Sequence, residues 1–316
     1  MRKLTLLLAI AVLFTFILGC NKKDKVSEPI EEGCELLVYC DRSAASLPFV
    51  KLYYDTDKGL CENTYDIIVS TAEDNMMELV LGRYDVAVLP SVMAYELYDK
   101  TEGNTVFLAV ASLAECTLLS NSADITDIYG LDSKTVYTLS GDFLSYSALM
   151  AVFDFNGINA SVEELNDINE LIERMNTEEG CIAAVDDIYL DSFSDNITGI
   201  ADIDDIFNDC FGYELPGEII CVNRKFLNAN PYPVKLILKE YSESLLSLGK
   251  GIDDSYIKEI FGEYDISVNR VTERINSIIV GEDMKNLLLY FTEIPEIYDD
   301  NYDGIVAIND DLYYFE

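Results

Sequence analysis

An α/β fold in two successive units is what this 316-residue sequence predicts. Short apolar runs alternate with amphipathic stretches of about ten residues, the pattern of strands and helices around a mostly parallel sheet. The alternation begins again, in a shorter series, after Cys116. Half of the residues (50%) are hydrophobic, so the chain can fill sizeable cores and has length for two modest domains or one large one. Glu35–Cys40 reads as the first strand, followed by a polar loop over Asp41–Ser46. Leu47–Tyr54 then starts a helix with Pro48 in its first turn, where proline is tolerated. Tyr65–Val69 is the next strand, Ser70-Thr71 a candidate cap, and Ala72–Leu81 a helix stopped at Gly82. Tyr84–Leu97 is the stretch on which the first unit turns. Val86–Leu89 is apolar without interruption, as in a strand buried on both faces; Pro90 stops it. Ser91 is placed to cap a helix with apolar positions at Val92, Met93, Ala94 and Leu97. Thr105–Ala111 is a fourth strand.

In the second series, Cys116–Leu119 and Lys134–Leu139 read as strands, with a turn of helix over Asp124–Asp132 between them. Ser145–Phe155 is helical and closes at Asn156-Gly157; the helix Ile168–Met175 and the buried strand Cys181–Val185 follow. Glu218–Val222 is a strand able to lead back to the first unit. After Asn230-Pro231 a long amphipathic helix runs to Leu248, with further helices over Asp254–Phe261, Val268–Ile279 and Asp283–Phe291. The tail, Asp299–Glu316, is acidic and rich in tyrosine.

The N-terminus has its own pattern. Arg2 and Lys3 precede the apolar run Leu4–Leu18, and Gly19-Cys20 follows. This resembles a bacterial lipoprotein signal with Ile17-Leu18-Gly19-Cys20 as its lipobox. The resemblance implies removal of residues 1–19, a palmitate-type diacylglycerol on the Cys20 sulfur, and extracytoplasmic anchoring to a bacterial membrane as a lipoprotein. Residues 20–32 are polar and aperiodic, a flexible tether.

Composition excludes several classes of chemistry. The formal charge of −37, made two more negative by loss of the leader, repels nucleic acid. It suits either a solvated surface or an attraction for cationic ligands. Histidine is absent, which removes imidazole general bases, Ser-His and Cys-His pairs, and the commonest zinc ligand; no CxxC motif occurs. Lipidation of Cys20 leaves seven cysteines, an odd number. Cys34 and Cys40, about 20 Å apart on one strand at ~3.3 Å per residue, cannot bridge each other. Buried thiols are expected for most of the rest.

Four segments, in order along nearly the whole mature chain, resemble the substrate-binding proteins of nitrate-, sulfonate- and taurine-type ABC transporters. GRYDVAVLPSVMAYEL is similar to the family's G-x-x-D-x-A-x-L-P-P strand and helix. IYGLDSKTVYTLSGDFLSYSALMAVFDFNGIN is similar to its L-K-G-K-x-V strand, glycine turn and N-G-L ending. PGEIICVNRKFLNANP resembles the return strand, and DGIVAINDDLYYF the closing I-G-G-x-x-P-D-D-x-F-Y-Y. The resemblance implies a type 2 periplasmic-binding-protein fold. One lobe would be formed by residues 33–114 and 223–316 and the other by 115–222, with a ligand cleft between them. It implies a monomeric protein that passes a small solute to an ABC permease, with no enzymatic step and no cofactor. Three departures bear on the ligand: Ser140-Gly141-Asp142-Phe143-Leu144-Ser145 replaces a Gly-Ser-Thr cluster, Asp186-Asp187 stands where Glu-Pro is common, and Asp303-Gly304 replaces Gly-Gly.

Loops after the strands would then supply the contacts: Arg42 and Ser43, Ser70 and Thr71, Leu89, Pro90 and Ser91, Ser112, Ser140, Gly141, Asp142, Phe143 and Ser145, and Asp186 with Asp187. Hydroxyls and backbone N–H groups at helix starts suit a carboxylate or sulfonate, which Arg42 can grip with a bidentate fork. Asp142, Asp186 and Asp187 suit an amine or amidine instead. Ser70, Thr71, Ser91 and Ser145 also serve as helix caps whether or not anything binds, and Tyr39 and Phe143 either stack on a ring or fill the core. A surface sensor or adhesin on the same fold, its cleft degenerate, is the alternative function.

Overall fold

Two five-stranded sheets carry the fold, and both follow one strand plan. The first contains β1 (Glu35–Cys40), β2 (Thr64–Val69), β3 (Val86–Pro90), β4 (Thr105–Val110) and β10 (Glu218–Asn223), in the order β2-β1-β3-β10-β4. The second contains β5 (Cys116–Ser120), β6 (Thr135–Leu139), β7 (Ser161–Leu165), β8 (Ile182–Asp186) and β9 (Thr198–Asp202), in the order β7-β6-β8-β5-β9. The computed structural model describes residues 32–248, 250, 253–262, 272, 275, 278–291 and 310–315. The expected leader, the expected lipidation at Cys20, the tether up to residue 31, most of Val268–Ile279 and Asp303-Gly304 lie outside the described residues.

Parallel pairing joins β1 to β2 and β3, and β6 to β7 and β8. One strand in each sheet runs the other way: β10 is antiparallel to β3 and β4, and β5 to β8 and β9. Each is the first strand the chain makes after leaving the other sheet, so each sheet is mixed through its partner's return. Residues 218–222, grouped with the second lobe on sequence, therefore lie inside the first sheet.

β3 is buried along its whole length. Val86 and Val88 face one apolar cluster, and Ala87 and Leu89 face the other. This is the period-two alternation of a strand covered on both sides, and it explains why the run has no polar residue. On one face of the first sheet pack α1 (Leu47–Thr56), α8 (Pro231–Leu248) and α9 (Asp254–Phe261), centred on Phe49 and Tyr241, whose rings are 5.0 Å apart. On the other pack α2 (Ala72–Val80), α3 (Ser91–Lys100) and α10 (Gly281–Phe291). That cluster continues into α4 (Phe143–Asn156) and α6 (Ile203–Phe211) of the second lobe, while α5 (Ile168–Thr177) covers the opposite face of the second sheet. A short α7 (Arg224–Ala229) precedes α8.

Local signals account for most of these boundaries. Thr71 caps α2, its hydroxyl accepting from the Asp74 N–H at 3.2 Å. Gly157 closes α4 at φ 65°, a left-handed conformation that a side chain resists. Ser91 does not cap α3. Pro90 holds the cap position without a side-chain bond, and the Ser91 hydroxyl donates instead to the Pro216 carbonyl at 2.9 Å.

Two connections cross between the lobes, residues 111–115 outward and 212–217 back, and they run side by side. Ala114 N–H donates to Leu215 O and Gly217 N–H to Ser112 O, both at 2.9 Å, and Ala111 N–H donates to Glu218 O at 2.7 Å. The approach is tight: a Cβ on Gly217 would lie 2.5 Å from Ser112 Oγ and 2.7 Å from Ser112 O, so only glycine fits.

Candidate functional site

The C-terminal ends of three parallel strands in each sheet converge on a cavity of about 230 Å³. In open α/β sheets this edge is where ligands are held. From the first lobe, the loop after β1 brings Asp41, Arg42 and Ser43, the start of α2 brings Thr71 and Glu73, and the end of β3 brings Pro90. Glu218 reaches the same edge for a different reason. β10 runs antiparallel, so its first residue, paired with Pro90, lies where the parallel strands end. From the second lobe come Ser140, Gly141, Asp142 and Phe143 after β6, Asn166 after β7, and Asp186 with Tyr189 at the end of β8. Leu139, Leu144, Ile168 and Ile188 form its apolar wall. The lobes approach closely at Gly141, where a Cβ would lie 3.8 Å from both carboxylate oxygens of Glu73.

Five carboxylates line this space, from Asp41, Glu73, Asp142, Asp186 and Glu218, against the single guanidinium of Arg42. Asp41 and Glu218 are buried. The Asp41 carboxylate accepts from Ser43 Oγ at 2.6 Å and Ser46 Oγ at 2.9 Å, and the Glu218 carboxylate from the Ser112 hydroxyl. Burial, reinforced by the charge of Glu218 and partly offset by the two serine hydroxyls, pushes the Asp41 carboxyl up to about 7. Burial likewise raises the Cys40 and Cys116 thiols. The helix starts facing the cavity are occupied from within. Asp142 accepts from Ser145 N–H at 3.1 Å, and Asp186 from Ile188 N–H at 2.9 Å.

Nine of the expected contact residues line the cavity: Arg42, Ser43, Thr71, Pro90, Ser140, Gly141, Asp142, Phe143 and Asp186. Six lie elsewhere. Leu89 is core, and Ser91 and Ser112 are buried against the crossing strands. Ser70 donates to Asp74 Oδ2 at 3.2 Å, Ser145 is buried beneath the α4 cap, and Asp187 accepts from Thr117 Oγ1 at 2.6 Å. Tyr39 is in the core. Sequence reading passed over Asp41, Glu73, Asn166, Tyr189 and Glu218. The first was legible beside Arg42, but Glu218 is found only by knowing that its strand runs backwards.

No protein-family model and no curated protein sequence matches the chain. Solved structures do. The ligand-binding component of an ABC-type import system from Staphylococcus aureus, solved with zinc bound, superposes with a TM-score of 0.63 at 12% identity, over 89% of this chain and 96% of that one. The periplasmic aliphatic sulphonate binding protein SsuA from Escherichia coli gives 0.61 at 13% identity, over 83% and 94%. A Candida albicans gene product with the generic periplasmic binding protein structural fold gives 0.54 at 15%, over 88% and 92%. The chain therefore has the two-lobed α/β fold of periplasmic binding proteins, and the resemblance drawn from its four segments holds at the level of fold. Among the described residues no three His, Cys, Asp or Glu side chains converge as a metal site, and no helix is long and apolar enough to cross a membrane.

Proposed function

We propose that this chain is an extracytoplasmic solute-binding protein, anchored through acylated Cys20, that closes on one small solute and presents it to an ABC permease. The observation that carries the reading is the cavity, to which each sheet brings the C-terminal ends of three parallel strands, β1, β2 and β3 in one and β6, β7 and β8 in the other. Its volume of about 230 Å³ suits a compact molecule, and a second space of about 840 Å³ adjoins it at Arg42, Ile168 and Tyr189. The paired crossing strands are the hinge about which the lobes would open and close, so that binding shifts an equilibrium and no covalent step is needed. Fold neighbours whose names place them in ABC-type import and in sulphonate binding support the transport role. Native mass spectrometry of freshly purified protein is expected to show one small molecule per chain. Small-angle scattering is expected to show compaction when that molecule is added back after removal. Absence of both effects across a broad solute panel would overturn the reading. The anchor is tested separately: Cys20→Ser protein should leave the membrane fraction.

A further inference from the structure

The two most buried polar side chains lining the cavity are both acids, Asp41 at 4% and Glu218 at 5% exposure. Hydroxyl groups of Ser43, Ser46 and Ser112 donate to them. Among the described residues, no lysine or arginine lies within ion-pairing distance of either. Arg42, the one cation at the cavity, is exposed and forms no ion pair with a described residue. Two carboxylates held out of water beside each other, without a counter-charge, are unfavourable when ionised, and a positive charge between them relieves both. The usual anion sites of such a fold are meanwhile blocked. Asp142 and Asp186 cap the two helical segments that start at the cavity's second-lobe wall, and Thr71 caps α2. An anion arriving there would meet carboxylate oxygens at the two second-lobe starts, and at α2 a threonine hydroxyl beside Glu73.

We propose that the cavity is a cation site. Its solute carries a protonated amine, amidine or guanidine seated between Asp41 and Glu218, with its body against Leu144 and Ile188. This rests on the solute-binding reading above and departs from the anionic ligand named for the E. coli neighbour.

The test is calorimetric titration of the full chain in detergent with four cations (putrescine, agmatine, methylamine and benzamidine) and two anions (ethanesulfonate and nitrate). At least one cation is expected to bind and neither anion. Asp41→Asn and Glu218→Gln, made singly and together, should weaken that cation at least tenfold in the double variant. Asp41→Asn keeps an acceptor oxygen for both serines, and melting curves establish that each variant is folded. Binding of an anion with no cation overturns the inference and leaves the solute-binding reading standing. Cation binding unchanged in a folded double variant also overturns the inference. No binding by any of the six overturns it too, and weakens the reading beneath it.

Discussion

At Asp41 burial opposes ionisation, and the consequence is a stability that depends on pH. Its carboxyl is raised from the ordinary carboxylate range to about 7, so the folded protein holds a proton there that the unfolded chain has released. The contribution to stability is complete below about pH 4 and is lost as pH rises through about 7. Asp41→Asn removes this dependence. The ligand-free variant should match wild type near pH 4 and exceed it by on the order of a few kcal/mol at pH 8, where the penalty is full. Urea unfolding across that range checks it, and a wild-type-to-variant difference independent of pH would refute the assignment. At this scale the sequence was readable at several polar positions in the loops after apolar runs, as at Arg42, Ser43 and Asp186, although Asp41, the first residue of its loop, was passed over. It was unreadable at Glu218, which opens an apolar run and has the look of a strand's solvent-facing start. The seven cysteines of the described residues are thiols, and Cys40, Cys116, Cys181 and Cys221 are buried, acting as small apolar groups.

Most of the legible strands, β1, β3, β4, β5, β8 and β10 among them, are covered on both faces, because a short, unbroken apolar run is at home in a strand that water reaches from neither side; the half-exposed edge strand β2 was read from its Ile67-Ile68-Val69 run. β7 (SVEEL) and β9 (TGIAD) are the edges of the second sheet and mostly exposed, so they lack the pattern by which a strand is recognised. α8 was legible from its length and its Asn-Pro start, but not what holds it. Buried Glu240 on that helix accepts from Tyr65 Oη at 2.6 Å and from the backbone N–H groups of Glu62 and Asn63, tying α8 to the entry of β2. Tyr241 Oη and Ser244 Oγ reach the carbonyls of Ala45 and Pro48 at 2.7 and 2.9 Å beside α1. Glu240→Ala leaves these donors unpaired and should destabilise the protein by roughly 3 kcal/mol, with Glu240→Gln, which retains an acceptor, costing less. Denaturant midpoints decide it; a neutral alanine variant would mean that water replaces the carboxylate.

For the molecule as a whole, a formal charge of −37 means that self-repulsion opposes the compact state. Raising sodium chloride from about 10 to about 200 mM shortens the screening length from roughly 30 Å to below 10 Å. The melting temperature should rise by a few degrees, and a melt indifferent to salt would show that the acidic surface is already neutralised by bound cations. The two-lobed plan was legible because the strand–helix alternation runs twice, and a return of Glu218–Val222 toward the first unit was legible as well; its antiparallel place between β3 and β4 was not, since direction leaves no mark on an apolar run. That late return sets an order of assembly. β5 to α6 form a contiguous segment whose sheet needs nothing made later, so the second lobe can take shape as soon as it is synthesised. Between β3 and β4 the first sheet has an open slot that only Glu218–Asn223 fills. The lobe begun first is thus the one finished last, and its unpaired strand edges must wait, exposed to mispairing, until the chain has built its neighbour and come back.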